Sequence, residues 1–342
     1  MCISYVLERT DLGEGAKMHR TKLLRKDEGA EVEVVRLDHL LYADDIALLA
    51  EDAESLRGAT QRLVDTMAEH GLTVNLTKTK YVEFDLSGQV EVEETSAAGG
   101  LTLEQGRVEQ VHAFAYLGST LTQDGDDEAD ILSRIERAQK KSGELSRVFA
   151  QRNISRELKT RILRVFVLPV ALWGSETWTL TNKTKAALDT WWHKKLRSCI
   201  GATKADHIRT ADLLEETGQE ELSSIVEQRR LRYIGHLVRY PEARWARIAL
   251  TAEGERPQGY RRGRGAPRAT YRRQLEADLR ARGVQLSSAE NRSLWAQVAR
   301  QKPELQRSTT GTTGTVGRTL TIQQQARLAG RSRLGNLRQL AE

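Results

Sequence analysis

The stretch Leu40-Leu41-Tyr42-Ala43-Asp44-Asp45-Ile46-Ala47-Leu48-Leu49 decides how this chain folds. Apolar residues run up to Leu41, a polar tip interrupts them, and the apolar pattern resumes at Ile46. Two short strands flanking a tight polar turn make a hairpin, with both carboxylates held at its tip. Upstream, residues 31–36 alternate like a strand and residues 37–41 continue as an apolar run. Downstream, Asp52 stands where a helix cap belongs, Leu56, Ala59, Leu63 and Met67 recur at helical spacing, and Gly71 supplies the stop. A strand is expected at residues 81–84. Strand, turn, strand, helix, strand predicts an α+β arrangement: an antiparallel sheet with a helix on one face.

Further short strands are expected over residues 87–125, with Gly99, Gly100 and Gly118 as breakers. From Asp130 onward the pattern is helical. Ile131, Ile135, Ala138, Ser142, Leu145 and Phe149 mark one apolar face, and Leu158, Ile162, Val165 and Phe166 mark the next, which Pro169 should end or kink. Leu188, Trp191, Trp192, Leu196 and Cys199 form a third face, stopped by Gly201, so a helical bundle is the natural assembly. Residues 308–317 are low-complexity Ser/Thr/Gly and read as a flexible linker to a basic tail.

The 342 residues suffice for two or three modules, and no apolar run approaches the length of a membrane span. Residues 1–20 carry Glu8, Asp11 and Glu14 and read as neither a secretory nor a mitochondrial leader, so an intracellular, soluble protein without membrane partners is expected. Two cysteines, Cys2 and Cys199, allow no disulfide framework and no cysteine-rich zinc site. They read as inert thiols, and His193 and His207 as surface or packing residues. The net charge of +6 conceals a split: residues 229–342 hold 24 Lys+Arg against 8 Asp+Glu, whereas the remainder is acidic. A basic block of that density attracts polyanions, nucleic-acid phosphates above all.

Paired carboxylates on a stiff hairpin are what a magnesium site for phosphoryl transfer requires, since Mg²⁺ takes oxygen ligands. Residues 40–49 resemble the Tyr/Phe-Ala-Asp-Asp motif of the reverse transcriptase palm of non-LTR, LINE-like retrotransposons. The resemblance implies that Asp44 and Asp45 are catalytic and ligate Mg²⁺ in a two-metal site, with Tyr42 and Ala43 beside the primer terminus. Gly71-Leu72-Thr73-Val74-Asn75 with Lys78-Thr79-Lys80 is similar to the next motif of that family, which assigns Lys78 or Lys80 to the incoming triphosphate. Phe114-Ala115-Tyr116-Leu117-Gly118 resembles its primer grip, so Tyr116, Leu117 and Gly118 are expected at the primer backbone. Three later stretches are also similar to segments of these elements: residues 168–178, residues 229–239, and residues 261–273 with Asp278, Arg292 and Trp295.

That resemblance implies a partial palm over residues 31–125 after an N-terminal remnant, 1–30. A helical thumb-like region, 126–225, a basic nucleic-acid-binding module, 226–307, and a flexible basic tail, 308–342, follow. The implied partners are an RNA template, a DNA primer and dNTP. Arg229, Arg230, Arg232, His236 and Arg239, interleaved with Tyr233, Tyr240 and Trp245, combine phosphate-reaching guanidinium groups with aromatic faces that stack on unpaired bases. Arg261, Arg262 and Arg264, set among glycines, are expected to bind backbones with little sequence preference. The family palm also needs an aspartate on an earlier strand and a Gly/Gln-rich segment, and residues 1–36 offer neither. The chain is therefore expected to be a C-terminal fragment that polymerises little by itself. The alternative is a non-catalytic RNA or single-stranded DNA-binding protein derived from a retroelement.

Overall fold

The computed structural model describes residues 3–13, 15–20, 33–84, 100–202, 206–241, 244–253 and 269–301. Two compact units emerge, one from residues 1–126 and 236–267 and the other from residues 127–235 and 268–342.

In the first unit, helix α1 (Ile3–Leu7) precedes strand β1 (Ala16–Arg20), which pairs antiparallel with β2 (Glu33–Leu37). The strand at Ala16–Arg20 was not expected, because Ala-Lys-Met-His-Arg has no alternating apolar pattern; tertiary pairing supplies what propensity does not. It carries no aspartate. Asp38 separates β2 from β3 (His39–Tyr42), and β4 (Asp45–Leu48) returns antiparallel to β3 with Tyr42 opposite Asp45 and Leu41 opposite Ile46. Helix α2 (Ala53–Glu69) begins where Asp52 accepts the Ser55 N–H at 2.8 Å and gives way to Gly71 at φ +72°. Leu63 and Met67 of α2 pack with Val6, Leu7 and Leu12 and against Leu41, Ile46 and Leu48. One face of the β3–β4 hairpin thus closes on α2, while the face bearing Leu40 and Tyr42 stays open.

Strand β5 is only Lys80–Tyr81, shorter than expected. It runs parallel to β7 (Gly106–Gln110), which pairs antiparallel with β6 (Gly100–Leu103). Leu101, Leu103 and Val108 close on Val64 of α2, so that single helix serves two small sheets with adjacent residues. A separate hairpin joins β8 (Ala113–Tyr116) to β9 (Ser119–Thr122). Residues 85–99, where other strands were expected, lie outside the described residues.

The second unit is helical. Its long helices are α3 (Glu128–Glu144), α7 (Asn182–Ile200) and, for most of its length, α9 (Leu222–Arg239), with the short α4 (Ser146–Ala150), α5 (Arg156–Ile162), α6 (Leu168–Ala171) and α8 (Thr210–Thr217) between them. Helix α10 (Trp245–Thr251) and strand β10 (Ala252–Glu253), the latter paired with β1, return to the first unit, whereas α11 (Tyr271–Arg280) and α12 (Arg292–Arg300) belong to the second. A boundary at residue 225 or 226 would fall inside α9. Thr181 and Thr184 cap α7 reciprocally, and Gly201 ends it in the left-handed conformation at φ +71°. The core runs from Ile131 and Ala138 through Leu163, Val167 and Ala171 to Trp178, Leu188, Trp192 and Leu196.

Pro169 does not end its helix. Between α5 and α6 the chain makes a π-helical stretch, Leu163–Val167, in which the Leu168 N–H reaches back five residues to Leu163 O. The wider turn accommodates a proline that offers no N–H. Of the face expected to be buried here, Ile162 packs against the core but the other three residues do not. Leu158, Val165 and Phe166 are 47, 56 and 53% exposed, and the core side is Thr160, Leu163, Val167 and Ala171. The segment is apolar on two sides, so periodicity does not choose between them, and the inserted π residue shifts the phase downstream.

Candidate active site and nucleic-acid interface

The β3–β4 turn has two central residues, Ala43 and Asp44, and Ala43 adopts φ +55°, the left-handed sense that two-residue hairpin turns use. Asp44 therefore sits in the turn itself and Asp45 is the first residue of β4. Cross-strand pairing puts Asp45 on the same face as Tyr42, away from α2. Tyr42 is 64% exposed, and Ala43, Asp44 and Asp45 are exposed with it.

The second hairpin has the same architecture. Tyr116 pairs with Ser119 across the two-residue turn Leu117-Gly118, both at positive φ (+47° and +87°), and Leu117 is exposed. Burial first, and then the Asp45 carboxylate, push the Tyr116 phenol above its ordinary range. The Asp45 carboxylate thus lies within electrostatic reach of an aromatic hydroxyl about seventy residues further along the chain.

The lysines differ. Lys78 is exposed on a turn built by Asn75, whose Oδ1 accepts the Lys78 N–H at 3.1 Å. Lys80 is tied to Glu109 at 2.5 Å, which directs it along the small sheet. Among the described residues, Lys78 is the one of the pair whose ammonium is not bound to a carboxylate.

Adjacent carboxylates suit Mg²⁺, which proteins often hold through one or two carboxylates with the rest of its shell from water and substrate phosphates. Asp44 and Asp45 would hold such an ion. Among the described residues no group of three or more His, Cys, Asp or Glu side chains gathers as a metal site, so the donor set present fits one ion better than a two-ion clamp.

The arginines of α9 divide by face. Arg229, Arg232, His236 and Arg239 follow helical spacing along one side; Arg232 and His236 are exposed and Arg229 is half-buried, 3.5 Å from Glu176. Arg230 is on the other side and wholly buried: its Nε donates to Asp278 at 3.0 Å and its Nη1 to Trp178 O at 2.9 Å. It cannot touch a nucleic acid there and serves packing instead. Around it, Trp178 donates to Asp130 at 2.9 Å, Tyr271 to Glu176 O at 3.1 Å, and Trp295 to Leu231 O at 2.6 Å. Residues from all three later stretches that resembled retroelement segments therefore meet in one buried polar knot. The sequence signal for such a role was present but ambiguous, since arginine beside aromatic residues marks either a nucleic-acid surface or a buried ion pair. Arg261, Arg262 and Arg264 lie outside the described residues.

His193 bonds Glu221 at 2.6 Å, a packing contact. Cys199 is buried, and burial pushes its thiol up to about 11. Among the described residues no helix is long and apolar enough to cross a membrane.

Comparison with known proteins agrees with the hairpin geometry. Residues 19–121 match the model of the reverse transcriptase (RNA-dependent DNA polymerase) family. Over 274 residues the chain is 26% identical to a putative uncharacterized transposon-derived protein of Caenorhabditis elegans, covering 78% of this chain and 93% of that protein. No solved structure matches.

Proposed function

We propose that this chain is the C-terminal part of an RNA-directed DNA polymerase of the non-LTR, LINE-like retrotransposon type. Residues 31–125 form a partial palm, 126–225 a thumb-like region, 226–307 a basic nucleic-acid-binding module, and 308–342 a basic tail. The observation that carries the reading is the Tyr42–Asp45 tip, exposed on an antiparallel hairpin, with Tyr116 within electrostatic reach of Asp45. Asp44 and Asp45 are the metal-binding and catalytic carboxylates, and Mg²⁺ bound there supplies charge neutralisation to a transferring phosphoryl group. Tyr42 and Ala43 flank the primer terminus, Tyr116, Leu117 and Gly118 hold the primer backbone, and Lys78 attracts the triphosphate. Arg229, Arg232, His236, Arg239, Arg261, Arg262 and Arg264 bind the phosphates of template and primer.

With two carboxylates in place of a fuller set, the purified 342-residue chain is expected to extend a primed RNA template weakly or not at all in Mg²⁺. Robust Mg²⁺-dependent extension, abolished by Asp44→Asn, would refute that part and establish the enzyme outright. Binding without extension, insensitive to Mg²⁺, favours the second reading, a retroelement-derived RNA or single-stranded DNA-binding protein. The short donor set and the exposed arginine side of α9 support that reading.

A further inference from the structure

The second unit contains an open cleft of about 620 Å³ whose walls come from α5, the π-helical stretch after it, the end of α7 and the end of α8. Three arginines line it. Arg156 is bound to Glu216 at 2.8 Å, whereas Arg161 and Arg164 are exposed and, among the described residues, pair with no carboxylate. The other acid on the wall, Glu157, is held by its own backbone amide and the Ser155 hydroxyl at the start of α5, which keep its carboxyl below the usual range. Glu157 stays ionised, but three arginines against two glutamates leave the cleft net positive.

Arg161 and Arg164 are three apart on a helix, placing their Cβ atoms on the order of 5–6 Å from each other, close enough to grip one phosphate or two successive ones. Beside them the wall offers an apolar strip, chiefly Val165 and Leu168 with the edge of Ile200, bordered by Thr160, Thr217 and Gln219. The π-helical turn, a feature frequent at functional sites, sits at this point and carries both Arg164 and Val165. A lone inorganic anion would use the cations and leave the apolar wall wet. A duplex would present phosphates but keep its base faces stacked inside. A strand with an unpaired base satisfies both halves, and the cleft lies within the range of about 300–1,000 Å³ that ordinarily houses a ligand of nucleotide size.

The geometry points to this cleft as a binding site for single-stranded nucleic acid, with Arg161 and Arg164 on the phosphates and an unpaired base against Val165, Leu168 and Ile200. It is built from residues outside the hairpin tips and outside the basic C-terminal region, and it does not depend on whether the chain polymerises.

The test is fluorescence anisotropy of a labelled twelve-nucleotide uridine oligomer with the full-length chain over a salt series. Arg161→Glu/Arg164→Glu is expected to weaken binding tenfold or more. A companion variant, Arg161→Ala/Arg164→Ala, is expected to flatten the slope of log affinity against log salt by roughly 1.4, the value for two single-strand phosphates that the protein no longer neutralises. Both positions are exposed, and unchanged thermal unfolding checks that each variant folds. Arg137→Glu/Lys140→Glu on α3 makes the same charge change elsewhere and is expected to cost much less. Equal losses in the two reversal variants, or no change in affinity and slope, would overturn the proposal. So would an equal loss on a twelve-base-pair duplex, which removes the role of the unpaired base. Because the readout is binding and not extension, failure of the cleft is distinguished from failure of the polymerase reading, which primer extension tests separately.

Discussion

The guanidinium of Arg230 donates to the carboxylate of Asp278 at 3.0 Å with both side chains buried, joining α9 to α11 across forty-eight residues of sequence. A buried charge of this kind is tolerable only while its partner and the surrounding hydrogen bonds are in place. Trp178 O takes a second guanidinium proton and Asp278 O accepts from Arg282, so the pair anchors three separated segments.

Breaking the pair from one side leaves an uncompensated buried charge. Asp278→Ala should destabilise the second unit by about 3–5 kcal/mol, read as a lower urea midpoint. Replacing both partners with apolar residues, Arg230→Met/Asp278→Leu, should cost clearly less than the single change. A double variant as unstable as the single one would show that the two side chains act separately.

The same carboxyl makes stability depend on pH. Burial raises its pKa above the ordinary value, and Arg230 opposes without cancelling that effect. Over the window between the ordinary and the raised value, the folded chain keeps a proton that the unfolded chain releases. The contribution is fully present below the unfolded pKa and is lost as pH rises through the folded one. Asp278→Asn should remove this slope from the unfolding free energy measured across the acid range, and an unchanged slope would assign it to other groups.

The electrostatic link between the two hairpin tips is open to a spectroscopic check. Because the Asp45 carboxylate helps hold the Tyr116 phenol up, Asp45→Asn should lower the pH at which Tyr116 ionises. The readout is the tyrosinate absorbance that disappears in Tyr116→Phe. No movement of that midpoint would mean that the tips do not sense each other.

Turn geometry sets a fourth expectation. Ala43 holds φ +55°, where a β-branched side chain is strongly disfavoured and glycine is at ease. Ala43→Val should destabilise the first unit by about 1–3 kcal/mol, and Ala43→Gly should be neutral or mildly stabilising. The comparison is made by chemical unfolding, and equal stability of the two variants would contradict the turn described.

Thiol chemistry offers a simple probe of the second core. With its thiol pushed up to about 11 by burial, Cys199 should resist a thiol reagent in the native chain at neutral pH and react fully after unfolding. Using a Cys2→Ser background isolates this position. Rapid native labelling would mean that the core around Trp192 and Leu196 opens easily.

Much of the first unit could be read directly from its residues. The carboxylate hairpin, the Asp52 cap, the apolar stripe of α2 and the glycine stop at Gly71 are short-range features, each written within a few residues of where it acts. In the second unit the apolar faces of α3 and α7 and the stop at Gly201 were equally legible. The face of α5 was not, because Leu158, Val165 and Phe166 satisfy a helical period as well as Leu163, Val167 and Ala171 do. Strand β1 was missed because its pairing with β2 and β10, rather than its own composition, makes it a strand. The proximity of Tyr116 to Asp45 joins residues far apart in the chain and had no local sign beyond the two hairpin motifs.

Local chemistry therefore determined the parts: paired aspartates on a turn, capped helices, a basic C-terminal stretch, and the absence of any long apolar run. Tertiary structure decided which cations are buried and which face solvent. Helical periodicity places Arg230 and Arg232 on different sides of α9, but only the packing of α11 against it provides the carboxylate that makes burial of Arg230 possible. A charge goes inside only where a partner from elsewhere in the chain meets it, and that meeting is a property of the fold.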